Sequence, residues 1–138
     1  MINSRDLNSL HPTVAKMARQ WIIDCGHAGI DVLVTSTYRD NESQSALYAQ
    51  GRTTPGKKVT NAKAGKSYHN YKIALDFVPI VHGKPNWTDL SLFTKCGEIA
   101  EACGFEWAGR WKSFKEYAHI QFTNGHNLAH FKNGGSLS

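Results

Sequence analysis

At 138 residues with 41% apolar content, the chain suits one domain with a single core. No apolar run approaches the ~20 residues that span a bilayer as a helix, which excludes a membrane-spanning helix. A net charge of +5 favours anionic partners, and an odd count of three cysteines without Cys-x-x-Cys spacing excludes a cysteine zinc knuckle.

In chain order, residues 10–25 form a first helix with Pro12 in its first turn. Val14, Met17, Ala18, Trp21 and Ile22 make its apolar face, and Gly26 is its stop. His11 and His27 read as exposed turn residues. Asp31–Ser36 is a short β-branched strand. Asn41–Gln50 is a second helix, capped by Asp40 or Asn41, stopped by Gly51, with Ala46 and Leu47 facing inward. Arg39 therefore sits at a strand-to-helix junction, where side chains tend to point into sites.

Residues 51–66 are rich in glycine, proline and lysine and show no apolar period, so they read as a mobile basic loop. It acts either as a substrate lid or as a long connection. Ile73–Val78 is a buried strand, and His69 and Asp76 are taken together as lying on it. Residues 81–86 form a turn with His82 exposed. Leu90–Cys103 is a third helix with a stripe of Leu92, Phe93, Cys96, Ile99, Ala100 and Cys103, stopped by Gly104. Phe105–Trp107 is a further strand, residues 108–111 a turn, and Ala118–Phe122 the last core strand. Residues 133–138 are expected to fray.

Cys25, Cys96 and Cys103 read as buried thiols. Cys96 and Cys103 lie about 10 Å apart along one helix, too far for a disulfide. His126 and His130, four apart without a carboxylate beside them, read as solvated.

The chemistry concentrates around Ser67-Tyr68-His69 and Asp76. A carboxylate in an apolar strand is costly unless something pairs with it. A metal ion is one such partner. His69, Asp76 and, 43 residues after it, His119 make a three-ligand set that leaves a catalytic zinc one open position. Glu116, three before His119, can take a proton from water at such a site. The bland readings are a strand-end cap for Asp76, a core or surface histidine for His69 and for His119, and a solvated Glu116 beside Lys112 and Lys115.

The pattern Ser-x-His-x6-Asp followed by Glu-x-x-His resembles the zinc peptidases that cut D-amino-acid bonds in bacterial cell walls. These include D-alanyl-D-alanine carboxypeptidases and dipeptidases, and the L-alanyl-D-glutamate endopeptidases of bacteriophage endolysins. The resemblance runs from about Thr35 to Phe122 and is nearest the single-domain endolysins. One departure is Lys72, where the family usually has glycine.

What the resemblance implies is a zinc peptidase domain over residues 1–138. The expected fold is α+β: helices packed on one face of a small, largely antiparallel sheet, with the zinc site at the end of the central strands. His69, Asp76 and His119 would hold Zn2+. Glu116 would be the general base and acid, and Arg39 the electrophilic helper, unless it is a surface arginine paired with Asp40 or Glu42. Ser67, Gln44 and Trp111 would contact substrate.

The expected substrate is the peptidoglycan stem peptide, cut at L-alanyl-D-glutamate by a monomeric phage lysin. The rivals are a D-alanyl-D-alanine carboxypeptidase or dipeptidase, and a non-catalytic wall-binding module. Without an apolar leader at its N-terminus, the chain would be made in the host cytoplasm and reach the wall through a permeabilised membrane. Scattered cations, with Arg52, Lys57, Lys58, Lys63 and Lys66 in the basic loop and Lys132 near the end, point to anionic envelope surfaces. No motif indicates nucleic acid.

Overall fold

A computed structural model describes all residues from Met1 to Ser138. The elements follow as α1 (Pro12–His27), β1 (Asp31–Ser36), α2 (Asn41–Ala49), β2 (Ala74–Val81), β3 (Lys84–Pro85), α3 (Leu90–Ala102), β4 (Glu106–Trp107), β5 (His119–Gln121) and α4 (Leu128–Lys132). The strands form one antiparallel sheet in the order β1-β2-β5-β4, with β3 hairpinned onto β2. The α+β expectation, with a small antiparallel sheet, holds. No helix is long and apolar enough to cross a membrane.

The β-strand period explains the layering. Leu75 and Phe77 share one face of β2, and Ala74 and Asp76 the other. Phe77 meets Trp21 of α1 edge-on at 4.9 Å and Phe93 of α3 at 5.5 Å. The Trp21 indole N–H donates to the Cys96 carbonyl at 3.0 Å, which ties α1 to α3. Both helices thus lie on the Phe77 side, and Asp76 points away from them. Gly97 lets α3 approach the sheet: a Cβ there would fall 2.2 Å from the Trp107 ring.

Several boundaries differ from the sequence reading. Helix α1 continues through Gly26, and the left-handed stop is Gly29 at φ 79°. Helix α2 turns Ser43 and Gln44 inward, while Ala46 is exposed. Its cap is Asp40, whose carboxylate accepts from Ser43 N at 2.8 Å. Cys25 and Cys96 are buried, but Cys103 is only half-buried and its thiol donates to Asp24.

His69 is not on a strand. It sits in a 3-10 turn, Tyr68–Tyr71, that precedes β2. Ser67 and Asn70 cap this turn reciprocally: Ser67 Oγ accepts from His69 N, and Asn70 Oδ1 accepts from Ser67 N. Such short polar side chains favour turns over strands. The turn closes at Lys72 in the left-handed conformation, φ 65° and ψ 28°, a region glycine enters freely.

The C-terminal residues do not fray. Leu137 is buried in the core, and Phe131 packs against Tyr68 and Tyr71, which flank His69. The carbonyls of Ser136, Leu137 and Ser138 bond to His130, Asn124 and His126. The two imidazoles stack at 3.8 Å instead of standing free in solvent. Burying one leucine and satisfying three carbonyls accounts for the fold-back of a sequence rich in glycine and serine.

The geometry at Lys72 yields a prediction. Lys72→Gly removes left-handed strain but frees the unfolded chain, so the two effects oppose and stability changes by less than about 1 kcal/mol. Denaturant unfolding of both proteins checks this; a larger loss would show that the Lys72 side chain, whose ammonium lies 5.0 Å from the Tyr38 ring centre, makes a contact the fold depends on.

Candidate metal centre and active site

Three elements meet where the sheet presents Asp76. The β2–β5 register sets Asp76 directly opposite His119, and the 3-10 turn swings His69 over both. Asp76 Oδ1 lies 3.2 Å from His69 Nε2 and 3.1 Å from His119 Nδ1. The three donor atoms fall within 4.8 Å of one another. Zinc bonds of about 2.0–2.1 Å in a tetrahedron separate ligand atoms by roughly 3.3 Å. The donor spacing fits that ion.

The outer nitrogens confirm the fit. His69 Nδ1 lies 2.8 Å from the Thr37 carbonyl, and His119 Nε2 lies 2.8 Å from Gln121 Oε1. Both oxygens only accept, so both outer nitrogens carry hydrogen. Neutral imidazoles then aim two lone pairs at a carboxylate oxygen. Three acceptors converge with no donor among them, which is costly unless a cation sits between them. Without a metal, hydrogen on the imidazoles meets the same need. Desolvation works against charge on Asp76, yet the positive charge of His69 and the hydrogen bonds of both histidines hold its pKa below the ordinary value. Desolvation likewise works against charging His119, but the hydrogen bond and charge of Asp76, with the charge of Glu116, raise its pKa.

Arg39 is buried behind this cluster, with Nη2 at 3.6 Å from Asp76 Oδ2. It donates to Gln44 Oε1 at 2.8 Å and to Ser36 Oγ at 3.2 Å. Its backbone is clamped as well: Arg39 N donates to the His69 carbonyl, and its own carbonyl accepts from Asn70 Nδ2. Its Nε is buried without a partner. The alternative of a surface arginine paired with Asp40 or Glu42 does not hold, since those carboxylates face the N-terminal ammonium instead. Burial lowers the Arg39 pKa against the opposing charges of Asp76 and Glu116, and a guanidinium remains a cation all the same.

Glu116 stands half-exposed at the mouth, with Oε2 at 3.7 Å from His119 Nδ1. It faces the donor set and not Lys112 or Lys115. Trp111 walls the cleft, its ring 5.6 Å from that of His119. Ser67 lines the cleft too, and the whole concavity measures about 220 Å³. Gln44, expected to touch substrate, does not: it is fully buried, and its place is behind Arg39. Gln44 also donates to the Ala62 carbonyl at 2.7 Å, which ties the 51–66 loop to the site. Arg52 holds the Thr60 carbonyl, and the Tyr71 hydroxyl holds that of Gly65. The loop is therefore pinned along its second half, and Val59, Thr60 and Lys66 form a wall of the cleft.

Sequence reasoning missed Thr37, Asn70 and Gln121. Gln121 had a readable signal, because residues two apart on a strand share a face with His119. Thr37 had none, since any residue supplies a carbonyl.

A helix-flanked antiparallel sheet presenting a His–Asp–His donor set beside a glutamate defines the class of zinc-type metallopeptidases. Comparison with known proteins agrees. The D-alanyl-D-alanine carboxypeptidase family profile matches residues 60–122, a segment that contains the three donors and Glu116. The peptidoglycan L-alanyl-D-glutamate endopeptidase CwlK of Bacillus subtilis is 38% identical over 129 residues, covering 83% of this chain and 74% of that protein. The L-alanyl-D-glutamate peptidase of Listeria phage A118 is 30% identical over 138 residues, covering 96% of this chain but 45% of its own length. The crystal structure of the Serratia marcescens L-Ala D-Glu endopeptidase ChiX shares the fold, with a TM-score of 0.65 at 20% identity, covering 89% of this chain and 90% of that one. The chain belongs to the M15 family of metallopeptidases.

The donor set predicts one tightly held zinc per chain. Elemental analysis is expected to find it in the wild type and to find it lost in His69→Ala, Asp76→Ala and His119→Ala. Full occupancy in His119→Ala would move the site elsewhere, with His126 and His130 the next donors to test.

Proposed function

We propose that this protein is a zinc-dependent peptidoglycan endopeptidase that hydrolyses the L-alanyl-D-glutamate bond of the stem peptide and serves as a phage-type lysin. The observation that carries the reading is the 38% identity to CwlK over most of both chains, in a molecule whose cleft brings His69, Asp76, His119 and Glu116 together. The phage relative supports the lytic setting.

When bound by His69, Asp76 and His119, zinc supplies Lewis-acid polarisation of the scissile carbonyl and lowers the pKa of water to about 7. The protein's own groups do the rest. The Glu116 carboxylate accepts a proton from the attacking water and returns it to the leaving nitrogen. The Arg39 guanidinium, fixed by Ser36 and Gln44, offers donors to the charge that develops on the carbonyl oxygen. Trp111 and the pinned loop, with Ser67, bound the cleft on its sides and set what enters it.

Glu116→Gln is expected to keep its zinc and its fold while losing ~10²–10⁴ in hydrolysis rate. Turnover at the wild-type rate would remove Glu116 from the mechanism. The bond itself is read by mass spectrometry of purified peptidoglycan digested with the protein. New N-terminal D-glutamate supports this reading. Release of D-alanine alone would support a D-alanyl-D-alanine carboxypeptidase, which the description of the matching family profile favours.

The proposal extends to how the enzyme meets its substrate. It is made in the host cytoplasm, passes a permeabilised membrane, and works as a monomer attracted to anionic envelope polymers. Lys57, Lys58 and Lys63 are exposed on the loop, and attraction between such charges is screened over ~8 Å at physiological ionic strength. Replacing the three by glutamine is expected to slow lysis of permeabilised cells at low salt and to spare hydrolysis of a small soluble stem peptide. An equal fall in both rates would place the lysines in the catalytic cleft, and no change in either would make the charge incidental.

A further inference from the structure

The two imidazoles of the metal centre are oriented by different means. His69 Nδ1 faces a backbone carbonyl, which can only accept. His119 Nε2 faces a side-chain amide, which by itself is ambiguous. Turned one way, the amide offers an oxygen and demands hydrogen on Nε2. Turned the other way, it offers N–H and demands a bare Nε2. The second state puts the single proton of a neutral imidazole on Nδ1, where a metal must bind. The two orientations of a glutamine amide have nearly the same shape, so packing does not choose between them.

The next residue along the sheet makes the choice. In the β4–β5 register Glu106 lies directly opposite Gln121, so Glu106, Gln121 and His119 share one face. Gln121 Nε2 lies 3.3 Å from Glu106 Oε2, and the Thr123 hydroxyl donates to Glu106 Oε1. A carboxylate only accepts. The NH2 of Gln121 must therefore face Glu106, its oxygen must face His119, and hydrogen must sit on His119 Nε2. On a ring with a single hydrogen, His119 Nδ1 is then left as the lone pair that a metal takes, 3.1 Å from Asp76 Oδ1. Gln121 and His119 are both buried. Glu106 itself lies outside the cleft.

We propose that Glu106 is a positioning residue that, through Gln121, holds His119 in its Nε2–H tautomer and so keeps Nδ1 available to the metal. The proposal rests on the metal-centre reading and adds a cause for it: an exposed carboxylate on an edge strand sets the polarity of a buried hydrogen-bond chain that ends at the ion. Partners of this kind change metal affinity by ~10–100-fold when they are lost.

The test separates polarity from shape. Glu106→Gln has the size of the native side chain but can donate or accept, so Gln121 becomes free to turn. The double variant Glu106→Gln/Gln121→Glu moves the carboxylate one place inward, where it accepts from His119 Nε2 directly and from the amide at position 106. Two readouts apply: whether His119 Nε2 carries hydrogen in metal-free protein, from nitrogen-15 NMR, and zinc affinity by competition with a chelator.

The wild type is expected to hold hydrogen on Nε2, whether or not Nδ1 also carries one toward Asp76. Glu106→Gln is expected to lose Nε2–H and ~10–100-fold in zinc affinity, and the double variant to recover both. Unchanged Nε2–H and affinity in Glu106→Gln would overturn the proposal. So would a double variant that folds, by an unshifted thermal midpoint, yet recovers neither. A wild type that binds no zinc would instead overturn the metal centre, which makes the two failures distinguishable.

Discussion

The molecule is organised around one unfavourable placement, the Asp76 carboxylate on a buried strand. Burial alone would keep that group neutral. Here two imidazoles and a guanidinium surround it, at 3.1 to 3.6 Å. Their outward bonds leave the inward side of the cluster short of hydrogen and short of positive charge. A divalent cation answers both deficits, and a proton on His119 answers part of one. The site's appetite for a metal is thus a consequence of where the sheet places a carboxylate and of which way its neighbours are turned.

The supporting structure keeps those neighbours turned. His69 depends on a 3-10 turn capped by Ser67 and Asn70 and backed by Phe131 of the C-terminal helix. His119 depends on a cross-strand chain that runs through Gln121 to Glu106. Arg39 is held by Gln44 and Ser36, and Gln44 also fastens the loop that walls the cleft. One buried glutamine therefore couples Arg39 to the loop that walls the cleft. Apart from the Phe131 packing, each of these supports is a hydrogen bond, and where it is buried, losing a partner leaves a polar group unpaired.

Apolar packing does a different task. Trp21, Phe77 and Phe93 join the two long helices to one face of the sheet. That frees the opposite face for polar chemistry. The alternation of β2 assigns Phe77 to the first face and Asp76 to the second, and so separates the apolar layer from the layer that carries the candidate metal site.

Local patterns in the chain were enough to name the elements and to single out the residues of the candidate site. Helical and strand periodicities predicted α1, β1, α3 and β5 to within a few residues, because side-chain burial repeats with the backbone period. The residue types His69, Asp76, Glu116 and His119, at their spacing, offered a metal site, because metal ligands come from a short list of side chains, and the resemblance to the cell-wall zinc peptidases supplied their expected roles. Only the tertiary structure decided what depends on residues distant in sequence. It moved His69 from a strand to a capped turn and withdrew Gln44 from the cleft to stand behind Arg39. It folded the last residues back through Leu137, and it set the hydrogen positions of His119 by a carboxylate on a neighbouring strand. The physical reason is common to all four. Periodicity encodes which face a side chain takes, whereas the partner it finds there is set by strand register and chain reversal, which bring together groups that no local pattern relates.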